Sequence, residues 1–439
     1  MDYVMLVVIF LGVLFLLLGS GVWVGIAMMG VSWVALELFS NSRTIGQDMV
    51  SQIWATSKSW ELAALPMFIW MGEILFRTRL SEDMFKGLSP WMARLPGGLV
   101  HANIVGCTVF AAVSGSSAAT LTTVGKMSIP ELRKRNYPET MTIGTLAGAA
   151  TLGLMIPPSL TLIVYGVTID GVSIIKLFFA GVVPGLVLAS MFMIYVAVYS
   201  KLSKDWNPNP DTGMSFAEKL RNSRFLIPVI LLVLVVIGSM YMGFATPTEA
   251  AAIGVIGAWA LALVQGSLNW KTFRDSTIGA VRTSAMIALI LAGSAFLKFA
   301  MAKTGLPKEL AEVIASWEFS KFWLLMVLLV FYIILGCFLD GISTVVLTMA
   351  VLEPVVRNAG IDLIWFGIFI VVVVEMAQIT PPIGFNLFVM QGMTQHEMGF
   401  IARAAFPMFM IMVLMVFVLI AFPDLATWLP DNLRSGPGG

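Results

Sequence analysis

Two short segments place oxygen-bearing side chains beside a helix breaker in surroundings that are otherwise apolar. The first reads Ser114-Gly115-Ser116-Ser117 with Thr120 close behind, the second Asp340-Gly341-Ile342-Ser343-Thr344. Each is followed downstream by a proline pair, Pro157-Pro158 and Pro381-Pro382, 224 residues apart. The residue before a proline is pushed out of the α region, so a helix must stop there and leave carbonyls without donors. The second proline suits the first turn of a new half-helix, whose free N–H groups point back at the break. A break of this kind offers carbonyl oxygens to a cation and a positive helix end to an anion. Around Pro381-Pro382, Gln378 and Thr380 add side-chain oxygens. A small hard cation such as Na⁺ takes several oxygen ligands, by analogy with other hard cations. One tip facing one broken helix makes one such cage, and the chain offers two. The same hydroxyls also suit close packing and helix capping, which is the plainer alternative.

Such breaks need a setting that tolerates bare backbone. Of the 439 residues, 59% are hydrophobic and 12% charged, against about 25% charged in a soluble domain. The chain is therefore an all-α polytopic membrane protein, for which lipid accepts unpaired backbone only under cover of protein or beside a wet cavity. The net charge of +1 and the lack of a long basic run give no sign of a nucleic-acid partner. Spans of about 20 residues fit residues 4–18, 22–39, 61–76, 177–199, 225–242, 248–265, 277–301 and 404–422. The first starts without a basic flank and reads as a retained span rather than a signal peptide. Residues 98–113 with 118–130, and again 322–356, suit re-entrant helical hairpins; 139–169 and 362–393 suit broken helices. A polar loop, 201–224, carries Asn207-Pro208-Asn209-Pro210-Asp211, and the tail 433–439 receives no function.

The halves repeat. Pro130 and Pro354 lie 224 residues apart, Pro184 and Pro407 223, Gly115 and Gly341 226. Discontinuous helices at matching positions in two halves point to a transporter's binding site. Threading the chain with Arg133, Lys134 and Arg135 in the cytoplasm collects fifteen basic residues on that side and eight, Arg43 and Arg434 among them, on the other. That bias agrees with the positive-inside rule. It makes the repeat inverted and places both termini outside.

Charges within apolar segments need a reason. Asp340 reads as a functional tip residue or a helix cap. Glu375, six residues before the second proline pair, reads as a residue supporting the site. Lys298 suits snorkelling, and Arg282, Glu73, Glu249 and Glu353 suit structural pairing; Lys126 is open. Cys107 and Cys337 suit packing. No Gly-x-Ser-x-Gly elbow, His-Glu-x-x-His or Cys-x-x-Cys motif supports an enzyme. A passive channel is the remaining bland reading.

The segments FAAVSGSSAATLTTVGKMSIPELRKRNYP, GLMIPPSLTLIVYGV and EMAQITPPIGFNLFVMQG resemble the large membrane subunit of TRAP (tripartite ATP-independent periplasmic) transporters. The resemblance spans nearly the whole chain. It implies Na⁺-driven uptake of an organic acid across a bacterial or archaeal inner membrane, by an elevator in which a transport domain slides against a scaffold. It implies two partners, a small four-helix membrane subunit on a separate chain and a periplasmic substrate-binding protein. It assigns one Na⁺ site to Ser114, Ser116, Ser117, Gly153 and Ile156, and a second to Asp340, Gly341, Ser343, Gln378 and Thr380. Substrate contacts fall to Gly115, Thr120, Pro158, Ser159, Thr344, Pro382, Gly384 and Asn386. Some family branches carry an Asp just after the first tip, where this chain has Ala118, Ala119 and Thr120. The expected division is scaffold spans over 1–96, transport half one over 97–176, scaffold with loop 201–224 over 177–301, transport half two over 302–403, and a last span with tail over 404–439. A stand-alone sodium–dicarboxylate symporter is the alternative, though Ser-Asn-Thr is absent from both tips.

Overall fold

The computed structural model describes residues 3–40, 44–203, 206, 208, 214–316, 319–382 and 384–432. Arg43, Lys204, Arg434, most of the Asn207–Asp211 segment and the tail 433–439 lie outside them, so expectations placed there have no structural counterpart. The described residues are helical throughout, without strands.

The first half runs α1 (Tyr3–Gly19), α2 (Val24–Phe39), α3 (Ile45–Ser57), a 3₁₀ turn (Trp60–Ala63), α4 (Ala64–Phe76), α5 (Leu80–Met92), α6 (Val100–Ser114), α7 (Ser117–Lys134), α8 (Glu139–Ala150), α9 (Leu152–Met155), α10 (Leu160–Thr168) and α11 (Ile174–Leu202). A short helix, α12 (Phe216–Ser223), follows inside the segment expected to be loop; Ser215 and Glu218 close it with a reciprocal capping box. The second half runs α13 (Ile227–Tyr241), α14 (Pro247–Val264), α15 (Trp270–Thr304), α16 (Leu306–Ser316), α17 (Lys321–Gly336), α18 (Gly341–Asn358), α19 (Leu363–Gln378), α20 (Phe385–Thr394) and α21 (Met398–Ala421), and α22 (Asp424–Asp431) ends the described chain.

The repeat is present in the backbone. The starts of α7 and α18, of α8 and α19, and of α11 and α21 are each 224 residues apart. Both hairpins and both broken helices form where the Ser/Gly tips and proline pairs put them. One departure between the halves has a plain cause. α15 is a single helix of 35 residues, whereas its counterpart is α3 and α4, bent by 62°. Pro66 accounts for the difference. A proline is accepted in the first turn of a helix but not in its interior, so α4 must begin close to it; the equivalent position of α15 is Ile290.

Burial sorts the helices into an outer ring and a centre. From Trp365 to Gln378 every residue of α19 is buried, and so is every residue from Met141 to Tyr165, across α8, α9 and most of α10. A helix apolar on all sides and covered on all sides is a core element. By contrast α1, α13 and α14 leave Phe15, Leu16, Leu231, Leu234, Ile256 and Leu263 exposed, as a face toward lipid requires. In the ring, α2 and α15 cross at Gly25 and Gly293, where a Cβ on Gly293 would fall 2.3 Å from the Gly25 carbonyl oxygen. Small residues permit this approach, and packing rather than hydrophobicity holds helices together in lipid.

Candidate functional site

Each tip is built by a cap. Gly115 ends α6 in the left-handed region at φ 59°, its N–H returning to Ala111 O, and Ser116 then N-caps α7. Asp340 N-caps α18: its Oδ2 accepts from the N–H groups of Ile342 and Ser343 at 3.1 and 3.2 Å, and its Oδ1 from the Ser343 hydroxyl. Asp340 is thus engaged as a cap, one of its two expected roles. At the first break Ile156 leaves the helix in an extended conformation and Ser159 N-caps α10 while also donating to Leu154 O. At the second, α19 ends at Gln378 and Gly384 opens α20. Both proline pairs are joined by cis peptide bonds.

The four breaks meet. A Cβ on Gly153 would lie 2.8 Å from the carbonyl carbon and oxygen of Ser116 and from Ser117 N, so the first tip presses directly on the first break. The second tip sits on the second break in the same way: a Cβ on Gly341 would be 2.7 Å from Gln378 Nε2 and 3.3 Å from Leu154 of the first half. Ser117 crosses between halves. Its hydroxyl donates to Glu375 Oε1 at 3.1 Å, with Gln378 Oε1 3.5 Å away, and Gln378 Nε2 donates to the same Glu375 oxygen at 3.3 Å. By its side chain Ser117 therefore groups with the second break, although its backbone belongs to the first tip. Around the first tip, the hydroxyls of Ser114 and Thr120 bond each other at 2.8 Å, and Ser114 reaches Ser116 O at 3.3 Å.

Several expected site hydroxyls are turned to their own helices: Thr344 donates to Asp340 O and Thr380 to Met376 O. Oxygen is nonetheless abundant. The carbonyls of Gln378 and Thr380 converge, since a Cβ on Gly384 would lie 2.6 and 2.8 Å from them. Glu375, fully buried, keeps Oε2 without a partner among the described residues, and so does Asn386 for both atoms of its amide. Polar groups buried at this depth are costly unless something meets them. Gly115, Thr120, Pro158, Ser159, Thr344, Gly384 and Asn386 are buried, whereas Pro382 is exposed. The first break is closed and the second open on one side.

Most of the other intramembrane charges are paired or capping. Glu73 bonds Arg77 and Glu249 caps α14 through Thr246. Lys298, expected to snorkel, instead bonds Asp170 at 2.9 Å and Glu353 at 3.0 Å. Arg282 is exposed and, among the described residues, lacks the ion-pair partner expected of it. Lys126 lies 5.0 Å from the Phe76 ring centroid. The sequence offered Lys298 and Glu353 as separate charges; that both fall late in apolar segments was the available sign that they pair. Cys107 and Cys337 are free and buried.

Residues 11–425 match the family described as "Tripartite ATP-independent periplasmic transporter, DctM component". The chain belongs to this family. It is the large membrane subunit of a TRAP secondary transporter, not an enzyme. Among its TRAP relatives, the C4-dicarboxylate TRAP transporter large permease protein DctM of Pseudomonas aeruginosa is 28% identical over 91% of this chain and 93% of that protein. The isethionate TRAP transporter permease protein DctMQ of Oleidesulfovibrio alaskensis is 30% identical, over 93% of this chain and 64% of that longer protein. In fold the TRAP subunit is similar to the Alcanivorax borkumensis YdaH transporter, with a TM-score of 0.62 over 90% of each chain at 13% identity.

Proposed function

We propose that this TRAP subunit imports an organic acid into the cell by Na⁺ symport, through an elevator movement of the two hairpins and two broken helices against the remaining spans. The observation that carries the reading is the convergence of both tips and both breaks on one buried junction, joined across the repeat by Ser117, Glu375 and Gln378. Hydroxyl and carbonyl oxygens dominate its polar groups, which suits a hard alkali cation. Ser114, Ser116, Ser117, Gly153 and Ile156 would hold one Na⁺; Asp340, Gly341, Ser343, Gln378 and Thr380 a second. The N-terminal turns of α10 and α20 turn positive helix ends to a substrate carboxylate, with Ser159 and Asn386 beside them. Relatives are named for C4-dicarboxylate and isethionate transport, so a small organic anion is the substrate class.

A periplasmic binding protein delivers that anion, and a small four-helix subunit completes the membrane complex. The large subunit spans the inner membrane with both termini on the periplasmic side. Reconstituted complex should take up labelled organic acid only with an inward Na⁺ gradient and the cognate binding protein. Full uptake by this chain alone would favour a stand-alone symporter, and uptake indifferent to Na⁺ a passive channel.

A further inference from the structure

Lys298 sits on α15, among the helices assigned above to the scaffold, yet its polar bonds to other helices run to the moving halves. Its ammonium reaches Asp170, after α10, at 2.9 Å and Glu353, on α18, at 3.0 Å, and donates to Thr168 O at 3.3 Å. Arg357 completes the cluster, donating to Glu353 at 3.0 Å and to Asp170 O at 2.8 Å. Two cations and two carboxylates thus tie the end of the first broken helix, the outgoing arm of the second hairpin and α15 into one neutral knot. Glu353 is deep, 10% exposed, while Asp170 is 89% exposed. A cavity of about 320 Å³ adjoins the knot, lined in part by Gln52, Thr56, Asp170, Ser294 and Lys298.

The repeat supplies a comparison. At the mirrored place Arg133, late in the first hairpin's outgoing arm, bonds Glu139, which also bonds His396 just after α20, but among the described residues no α4 side chain joins them; α4 meets that arm through Lys126 over Phe76 at 5.0 Å. The two junctions that a mirrored movement would exchange are therefore unequal. Ion pairs at about 3 Å cannot survive a slide of several ångströms, because hydrogen-bonded contact ends within about an ångström of its optimum. Once the charges separate, water entering the adjoining cavity would solvate them, which lowers the cost of opening.

We infer that Lys298 is a positioning residue for transport: with Asp170 and Glu353 it clasps the moving halves in the arrangement seen here, and opening the clasp is part of each cycle. This rests on the sliding reading given above. The test uses the assembled complex in a background with Cys107 and Cys337 replaced by Ala and a single Val346→Cys. Val346 is fully buried in the α15–α18 seam, its carbonyl accepting from Ser294 at 3.2 Å, so a small thiol reagent reaches it only when the seam opens. Lys298→Met, which keeps the stem, should raise the labelling rate about five-fold or more. Asp170→Asn, at an exposed position and safe for folding, should raise it about two-fold. Adding Glu353→Gln to Lys298→Met should add little, because both remove the same clasp. A merely structural ion pair would lower the melting temperature and leave labelling of the folded protein unchanged. Labelling in the parent unmoved by Lys298→Met and Asp170→Asn overturns the clasp alone. No labelling in any variant while uptake persists removes the sliding movement, and the clasp with it.

Discussion

Gly153→Ala tests whether the first tip and the first break act as one unit. The added methyl would sit 2.8 Å from the Ser116 carbonyl carbon and oxygen and from Ser117 N, all of them backbone atoms that cannot swing aside. Ordinary contact begins near 3.4 Å, so the tip must retreat by roughly half an ångström or more. Overpacking of this size costs about 1–3 kcal/mol. Gly153 lies in α9, and replacing a helical Gly by Ala returns up to ~1 kcal/mol. The clash exceeds that return. The net, about 1–2 kcal/mol, falls on the arrangement that aligns Ser114, Ser116 and the first break. At ~1.4 kcal/mol per decade, the Na⁺ concentration for half-maximal uptake should rise roughly five- to thirty-fold. Gly392→Ala is the control, since a Cβ there meets nothing within 4 Å. The assay is uptake by reconstituted complex across a Na⁺ series, with thermal melts of both variants. A Gly153→Ala complex that melts normally and keeps the parent Na⁺ dependence would refute the argument that these backbones form one cation cage.

Asp340→Asn should fold almost normally, because Asn caps a helix about as well as Asp, within ~1 kcal/mol. Its Na⁺ stimulation should nonetheless weaken; unchanged stimulation would leave the residue as a cap alone. Replacing Pro157 and Pro158 together by Ala lets the helix run on through the break, so uptake should be lost from protein that still inserts and assembles, and intact uptake would count strongly against the broken-helix site. Ser117→Ala removes the hydroxyl bridging the halves, a bond worth about 0.5–1.5 kcal/mol, and should make the Na⁺ dependence shallower; an unaltered Hill slope would show that the halves bind independently.

The punctuation of this chain was easy to read and its side-chain traffic was not. Proline pairs and Gly/Ser tips act on backbone locally, so the tips at 114–117 and 340–343 and the breaks at 157–158 and 381–382 could be placed without a neighbour in view. Hydropathy found the spans but passed over α3, α5, α16 and α22. These helices are short or amphipathic, and a window average dilutes such stripes. α5 and α16 lie at equivalent places in the two halves, so the repeat itself could have flagged them. The turn of Ser117 toward Glu375, 258 residues away, has no local signature, because long-range contact depends on packing that sequence spacing does not reveal.

The repeat duplicates the tip-and-break arrangement in backbone but not in side chains. The positions of the first break equivalent to Glu375 and Gln378 are Thr151 and Leu154. Thr151 satisfies itself on Gly148 O, and Leu154 turns a methyl toward Gly341 of the opposite tip. Among the described residues, the second break therefore carries the only carboxyl group at the junction besides the capping Asp340, and it borrows a hydroxyl from the first tip to hold it. A carboxyl group shared in this way cannot respond to one half alone. Any ion or substrate that moves the first tip also moves Ser117, and with it a partner of Glu375 and Gln378 in the other half. A shared element of this kind gives the two halves a means of energetic coupling, and an exact duplication of the first half would have lacked it.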